Sequence, residues 1–147
     1  MSNKPNQTAG TMIPCLGYRD ARQAIDWLGR AFGFQPRAVY DGPDGTVMHA
    51  ELAFGSGMIM MGSTSTEGPF AKLLVHPDQI DGKQTQAPYV IVDDADAIYA
   101  TAQEAGAEIL IDIKDEPYGG RGFTCRDLEG HVWSFGTYDP WKPASSP

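Results

Sequence analysis

Cysteine is scarce in this sequence of 147 residues, which contains only Cys15 and Cys125. Two cysteines are too few for a disulfide framework, and these two lack the close pairing of a zinc site. Long apolar runs are absent as well: no stretch approaches the roughly 20 residues of a membrane helix. The polar start, MSNKPNQTAG, lacks the apolar region of a secretory signal peptide. We therefore expect reduced thiols, no membrane contact and a cytoplasmic location.

Basic residues are also few. The chain has 11 Lys and Arg residues against 19 Asp and Glu, which gives a formal net charge of −8. This negative field would oppose contact with nucleic-acid phosphates, so we expect no nucleic-acid partner. Neutral or cationic small molecules suit the chain better. Its length and its hydrophobic content of 41% predict one globular domain over residues 1–147.

The chain repeats itself once. Segment 20–33, DARQAIDWLGRAFG, and segment 93–106, DDADAIYATAQEAG, share an Asp, an Ala-Ile pair and a Gly at identical spacing. Apolar residues recur between them at helical spacing. The leading Asp20 and Asp93 are placed as N-caps, and the closing glycines are placed as helix stops. Both segments are therefore predicted to be helices.

Strand-like segments surround each predicted helix. An apolar run precedes it, at residues 12–18 and 87–92, and three strand candidates follow it between turn signals. The sequence thus predicts an α+β domain of two βαβββ modules, at about residues 11–62 and 87–139. The connector at residues 63–86 is either ordered by a short helix or mobile. The strand candidates are FQPRAVY, TVMHAELAF and MIMMGS in the first half, and EILIDI, GFTCR and HVWSFGTY in the second.

Three segments carry a family resemblance: the start of the first helix, HAELAFGSGMIMMGS at residues 49–63, and RDLEGHVWSFG at residues 126–136. With the paired modules, they resemble the vicinal oxygen chelate superfamily, which includes glyoxalase I, the bleomycin-resistance proteins and the extradiol dioxygenases. The resemblance implies the glyoxalase/bleomycin resistance fold, in which the modules form a curved mixed sheet with concave space, and it implies a homodimer. One fold of this kind hosts unrelated reactions and pure binders, so it implies little about chemistry.

Members of this superfamily that use a metal take its ligands from the first and last strands of each module. The corresponding positions here are Ile13 and Met60 in the first module, and Ala87 and Ser134 in the second. These side chains offer one weak hydroxyl, whereas divalent metals prefer imidazole nitrogen and carboxylate oxygen. We therefore expect no metal and no other cofactor. Strand alternation places His131 on the sheet face that packs toward a helix, opposite to the ligand positions. The last strand is therefore predicted to form a wall of the structure and not a metal site.

A polar pair is the candidate for catalysis. His49 and Glu51 share one strand face, so the imidazole could act with the carboxylate as an oriented general base or as part of a relocated metal site. The alternative is a polar pair that is hydrogen-bonded on the open face of a sheet.

The predicted concave surface is mostly apolar with a few hydroxyl groups, which suits a small-molecule pocket. Alternatively, these side chains fill the interior by themselves. Arg126 could bind an anionic group of a ligand or pair with a neighbouring carboxylate. The predicted ligand-binding residues are Ile13, Cys15, Met58, Met60, Tyr89, Thr124, Arg126, Val132 and Ser134.

Three functions are compatible with these features. The leading hypothesis, by resemblance to the bleomycin-resistance branch, is a metal-independent protein that binds a cationic or aromatic small molecule, with Tyr89 stacked on it. Such a protein would sequester a toxic natural product. The alternative is a glyoxalase- or dioxygenase-like enzyme (lyase, isomerase or oxidoreductase) with a non-standard site at His49 and Glu51. The third is a subunit whose role is assembly, with Trp141 as an apolar anchor.

Overall fold

The structure, a computed structural model, describes residues 9–65 and 68–142. In these residues each half of the chain forms a strand, a helix and three further strands, as the sequence predicts. Module one contains β1 (Cys15–Tyr18), α1 (Ala21–Phe32), β2 (Gln35–Asp41), β3 (Val47–Phe54) and β4 (Gly57–Ser63). Module two contains β5 (Tyr89–Ile91), α2 (Ala95–Glu104), β6 (Glu108–Asp115), β7 (Arg121–Arg126) and β8 (Val132–Gly136).

Within the described residues, each module forms its own four-stranded mixed sheet. The strand order is β1-β4-β3-β2 in sheet one and β5-β8-β7-β6 in sheet two. In both sheets the first strand of the module runs parallel to the last, and the remaining pairs are antiparallel. This arrangement confirms the predicted α+β class, with one sheet for each module.

The helices begin at capping aspartates, with one shift from the prediction. The side chain of Asp20 caps α1 as predicted, but the cap of α2 is Asp94 and not Asp93. The later start places the small Ala95 and Ala102, seven residues apart, on the buried side of α2. A glycine with positive φ follows each helix, as predicted. No helix in the described part of the chain is long and apolar enough to cross a membrane.

One core joins the two modules. Phe32 of α1 contacts Phe135 and Trp133 of β8, with ring centroids 4.5 and 5.5 Å apart. The indole Nε1 of Trp27 donates a hydrogen bond of 2.7 Å to the carbonyl of Ala105, at the end of α2. The helices therefore lie between the two sheets, and both sheets turn their helix-covered faces toward the same core. The opposite face of each sheet, which we call its open face, is directed outward.

A buried carboxylate fastens module two to module one. Asp127, which is 6% exposed, follows β7 in the RDLEGH segment. Its Oδ2 accepts hydrogen bonds from the Tyr18 hydroxyl at 2.6 Å and from the Trp133 indole at 3.0 Å. Its Oδ1 accepts from the backbone N–H groups of Glu129 and His131, both at 3.0 Å. Burial, with the adjacent Asp127, raises the pKa of Tyr18 well above its usual value, so Tyr18 remains a neutral donor.

The rest of this turn makes contacts with the end of β1. The Glu129 carboxylate accepts hydrogen bonds from the backbone N–H groups of Arg19 and Asp20, at 2.7 and 2.9 Å. His131 is 9% exposed, and its Nε2 lies 2.9 Å from the carbonyl oxygen of Gly17. The predicted packed orientation of His131 is confirmed.

The connector between the modules contains short 3₁₀ helices at Ala71–Leu73 and Pro77–Ile80. Asp78 in the second of these forms a two-pronged ion pair with Arg19, with distances of 2.7 and 2.9 Å. The ring of His76 bonds Thr64 at 2.9 Å. This part of the connector is therefore held against the end of β1, beside the Asp127 turn.

Replacing Asp127 by Ala should destabilise the protein by about 3–5 kcal/mol, because the Tyr18, Trp133 and backbone donors would lose their buried acceptor. Urea unfolding followed by tryptophan fluorescence measures the change. Asp26→Ala is the matched control, since Asp26 forms only an exposed pair with Arg30 and should cost about 0.5 kcal/mol or less. Equal losses in the two variants would contradict the role assigned to Asp127.

Candidate functional site

The open face of sheet two presents a row of side chains that crosses all four of its strands. Tyr89 on β5 pairs with Ser134 on β8, Ser134 with Thr124 on β7, and Thr124 with Ile111 on β6. The hydroxyl oxygens of Thr124 and Ser134 are 2.8 Å apart. The row alternates with the buried Trp133 and its neighbours, as strand geometry requires.

A cavity of about 350 Å³ lies over this row. The hydroxyl pair of Thr124 and Ser134 lies in its floor, and Tyr89 forms part of its wall. The whole lining consists of Tyr89, Ile111, Lys114, Glu116, Tyr118, Gly119, Arg121, Gly122, Phe123, Thr124, Ser134, Phe135, Gly136 and Tyr138. The size lies in the range of small-molecule sites, which begins at about 300 Å³.

Tyrosines form one end of the cavity. The rings of Tyr118 and Tyr138 lie 5.0 Å apart at an angle of 87°. The hydroxyl of Tyr89 donates a hydrogen bond of 2.7 Å to the backbone carbonyl of Tyr138. Burial, followed by the influence of Tyr118 and Asp139, raises the pKa of Tyr89. Gly136 makes room for Tyr89, because a Cβ at that position would lie 2.7 Å from the Tyr89 hydroxyl.

The open face of sheet one carries the matching row with different chemistry. Cys15 on β1 pairs with Met60 on β4, Met60 with Glu51 on β3, and Glu51 with Ala38 on β2. His49 lies on the same face, and its Nε2 is 3.0 Å from Oε2 of Glu51. Both side chains are about one-third exposed. The structure therefore brings the predicted polar pair together on an open sheet face.

The predicted ligand-binding residues divide between the two sheets. Cys15, Met58 and Met60 lie on the open face of sheet one, and Ile13 precedes β1. Four further predicted residues lie on the open face of sheet two: Tyr89, Thr124, Val132 and Ser134. The remaining one, Arg126, ends β7. Because the two sheets share a core, their open faces lie on opposite sides of one chain. Within the described residues, these positions therefore do not line one groove across both modules.

Arg126 is engaged by groups of its own chain. Its guanidinium donates hydrogen bonds to the Glu108 carboxylate at 3.0 Å and to the carbonyl of Gly82 at 3.2 Å. These contacts attach the connector to the edge of sheet two. Two roles were predicted for Arg126: binding an anionic group of a ligand, or pairing with a carboxylate of the protein. The contact with Glu108 corresponds to the second role.

The fold and the match of a family model identify the kind of protein. The model of the Glyoxalase/Bleomycin resistance protein/Dioxygenase superfamily matches residues 7–135. The chain belongs to this superfamily. The uncharacterized protein Mb0911c of Mycobacterium bovis is 30% identical over 125 residues, which cover 85% of this chain and 81% of that protein. The uncharacterized protein Rv0887c of Mycobacterium tuberculosis is also 30% identical over 125 residues, covering 85% of this chain and 72% of its own length.

Solved structures of the superfamily share the fold. TioX from Micromonospora sp. ML1 superposes with a TM-score of 0.68 at 34% identity, covering 86% of this chain and 97% of TioX. The fosfomycin resistance protein FosX from Mesorhizobium loti gives a TM-score of 0.60 at 14% identity, and the match covers 89% of this chain and 93% of that protein. FosX from Listeria monocytogenes was solved as a mutant with Mn(II) and 1S,2S-dihydroxypropylphosphonic acid. It gives a TM-score of 0.64 at 10% identity, and the match covers 90% of this chain and 92% of that protein.

The metal-ligand positions of the superfamily do not fit a divalent metal in this chain. The N–H of Met60 bonds the carbonyl of Pro14, and the N–H of Ser134 bonds that of Pro88, both at 3.0 Å. Ile13 and Ala87 immediately precede these prolines and so occupy equivalent places in the two modules, although the residues paired directly with Met60 and Ser134 are Cys15 and Tyr89. The four side chains supply no imidazole and no carboxylate. Within residues 9–65 and 68–142, no three His, Cys, Asp or Glu side chains cluster as a metal site would require.

Sequence reasoning missed part of the cavity wall. Tyr118, Tyr138, Ile111 and Lys114 line the cavity but are not among the predicted ligand-binding residues. Ile111 was within reach of the sequence, since it alternates with its neighbours along a predicted strand. Tyr138 was not, because it follows the last strand and its position depends on the hydrogen bond from Tyr89 to its carbonyl.

Proposed function

We propose that this protein binds a small organic molecule, without a metal ion, in the cavity on the open face of sheet two. The observation that carries the proposal is the combination of a concave volume with polar groups: about 350 Å³, with the Thr124–Ser134 hydroxyl pair beneath it. Pockets for small molecules combine apolar surface with placed polar groups, and this cavity offers both, since tyrosine rings and Ile111 line it together with the hydroxyl pair.

The proposed ligand has aromatic character and carries positive or no net charge. Tyr89, Tyr118 and Tyr138 offer ring faces for stacking, and the net charge of −8 attracts cations at long range. Membership of a superfamily that includes bleomycin resistance proteins supports a natural product as the ligand. Sequestration of such a toxic compound is the proposed role.

We propose that the protein acts as a homodimer. The open faces of both sheets carry exposed apolar or aromatic side chains, among them Tyr40 on sheet one and Ile111 on sheet two. A monomer leaves these faces in water, whereas a second copy could place the open face of one sheet over that of the other. Isologous pairing is the most common assembly of soluble proteins, and it would enclose the cavity further.

Filling the cavity should weaken the binding of a neutral aromatic probe. Ser134→Leu inserts a larger apolar side chain into the floor, and we expect 2-naphthol to bind at least about tenfold more weakly to this variant. Saturation-transfer NMR measures the binding. The matched control is Ala100→Leu, which adds a leucine on the exposed side of α2. Unchanged binding in Ser134→Leu, or equal loss in both variants, would contradict the proposed site.

If the protein is a homodimer, the wild-type protein should have twice the chain mass of 15.9 kDa when it is measured by light scattering coupled to gel filtration. Met60→Glu places a second carboxylate beside Glu51 on the open face of sheet one, and we expect it to yield monomers because like charges there would oppose docking. Ala97→Glu on exposed α2 surface is the control, and circular dichroism checks that both variants fold. A monomeric wild-type protein, or a dimeric Met60→Glu variant, would overturn the proposed assembly.

A second candidate function rests on the polar pair of sheet one. The 3.0 Å contact between His49 and Glu51 is the geometry of an imidazole oriented by a carboxylate, and the ring of Tyr40 lies 5.9 Å from that of His49. Such a pair can accept a proton from a substrate. The candidate is therefore a glyoxalase- or dioxygenase-like enzyme that uses this face of sheet one.

His49→Ala separates the binding function from the enzymatic one. Under the first proposal this variant still binds 2-naphthol, since His49 lies outside the cavity of its own chain and could approach it only from the covering face of a second copy. Under the second it loses about 100-fold or more in turnover of any substrate that the wild-type protein converts. Saturation-transfer NMR and a progress-curve assay on the same preparation measure the two effects, with His76→Ala in the connector as the control.

A further inference from the structure

We propose that the tyrosine end of the cavity, formed by Tyr89, Tyr118 and Tyr138, is a subsite for an organic ammonium cation. The proposal rests on the proposed binding function and assigns a chemical group to one end of the ligand. The group is a methylated ammonium, which carries a positive charge on an apolar surface.

The geometry of the rings suits a cation of this shape. Tyr118 and Tyr138 stand nearly perpendicular, with ring centroids 5.0 Å apart, so they form two adjoining walls. Tyr89 is attached to the same corner by its hydrogen bond to the Tyr138 carbonyl. All three tyrosines are partly exposed, at 43, 63 and 38% for Tyr89, Tyr118 and Tyr138. The negative faces of aromatic rings attract cations within about 6 Å, and boxes of such rings recognise quaternary ammonium groups.

The loop that carries Tyr118 is held in place by its own hydrogen bonds. The N–H of Glu116 donates to the carbonyl of Gly120 at 2.8 Å, and the N–H of Gly119 donates to the carbonyl of Glu116 at 3.0 Å. Gly120 has a φ of 78°, and a Cβ there would lie 2.6 Å from the backbone nitrogen of Tyr138. Only glycine permits this close approach of the two tyrosine segments. The walls of the subsite therefore exist before a ligand arrives, which lowers the entropy cost of binding.

Carboxylates outnumber cations around the subsite. Glu116 lines the cavity, and Asp139 is close enough to contribute to the raised pKa of Tyr89. Arg121 also lines the cavity, but its guanidinium donates to both carboxylate oxygens of Asp96, at 3.0 and 3.3 Å, and to Asp115 at 3.4 Å. Two carboxylates thus offset one guanidinium.

The remaining cation of the lining is Lys114 on β6. Against these two cations stand Asp96 and Asp115, which bind Arg121, Glu116 in the lining, and Asp139, which follows Tyr138 in the chain. The local field therefore has the same negative sign as the whole chain, and it favours a cationic group at this end of the cavity. Because a quaternary ammonium has no N–H donors to satisfy, aromatic faces and a negative field are sufficient to hold it.

A pair of isosteres tests the charge requirement. Choline and its uncharged carbon isostere, 3,3-dimethylbutan-1-ol, have nearly the same shape, so NMR titration of the full chain compares charge alone. We expect choline to bind about tenfold more tightly than the isostere and to shift tyrosine ring resonances. Equal affinities, or no saturable shift with choline up to about 50 mM, would overturn the proposal.

Variants localise the effect. Tyr118→Leu should reduce the choline preference to about twofold or less, whereas Tyr118→Phe keeps the ring face and should retain most of it. Glu116→Gln should weaken choline about two- to fivefold without affecting the isostere, and Glu104→Gln on α2 is the charge-matched control with no change. A choline preference that survives in Tyr118→Leu would place the cation elsewhere and refute the subsite.

The failure of this inference can be told apart from the failure of the proposed function. If wild-type protein binds 2-naphthol and Ser134→Leu does not, while choline and its isostere bind equally, the cavity is a binding site without an ammonium subsite. If neither 2-naphthol nor choline binds, both proposals are wrong.

Discussion

The buried carboxylate of Asp127 is the constraint on which the relative position of the two modules depends. A charged group in an apolar interior is costly unless donors surround it, and here the donors come from both modules: Tyr18 from β1, and Trp133 and backbone N–H groups from module two. Docking of the modules completes this set of donors, because only then does the Tyr18 hydroxyl reach the carboxylate. Together with the hydrogen bonds of Glu129 and His131 to the end of β1, the carboxylate adds directional contacts to a core of aromatic packing.

Duplication explains how much of the fold could be predicted. The spacing shared by residues 20–33 and 93–106 predicted both helices, and strand alternation directed His131 inward and Ser134 to the open face. The prediction of Asp93 as the cap of α2 was wrong, because two adjacent aspartates compete and only burial of Ala95 and Ala102 decides between them. Local patterns thus determined the elements, whereas a choice between near-equal local options required tertiary contacts.

The candidate site was harder to predict, since it depends on how faces are distributed in space. Alternation assigned Met60 and Ser134 to open faces, but it could not tell that the helix-covered faces share one core and so separate the two open faces. Arg126 shows the same limit. Its alternatives, a ligand anion or a neighbouring carboxylate, depended on Glu108 and Gly82, which are distant from it in the chain.

The two open faces have diverged in chemistry while keeping the same register. Cys15, Met60, Glu51 and Ala38 on sheet one correspond to Tyr89, Ser134, Thr124 and Ile111 on sheet two. The first row combines thiol, thioether and carboxylate, and the second combines ring, hydroxyls and a branched apolar chain. Equivalent backbone positions thus present an ionisable group on one face and hydroxyls with an aromatic ring on the other, which is why the proposed enzymatic and binding functions fall on different sheets.

The two ends of the β7–β8 hairpin have different contacts. One end holds the two modules together, and the other lies at the cavity of the proposed binding site. Its turn contains Asp127 and fastens the modules together, whereas its open end leads to Tyr118 before β7 and to Tyr138 after β8. Substitutions at the tyrosine end leave the buried carboxylate and its donors untouched, so ligand preference can change there at little cost in stability. The proposed metal-free site would depend on such freedom, because shape and charge at its rim would be its main means of selecting one molecule over another.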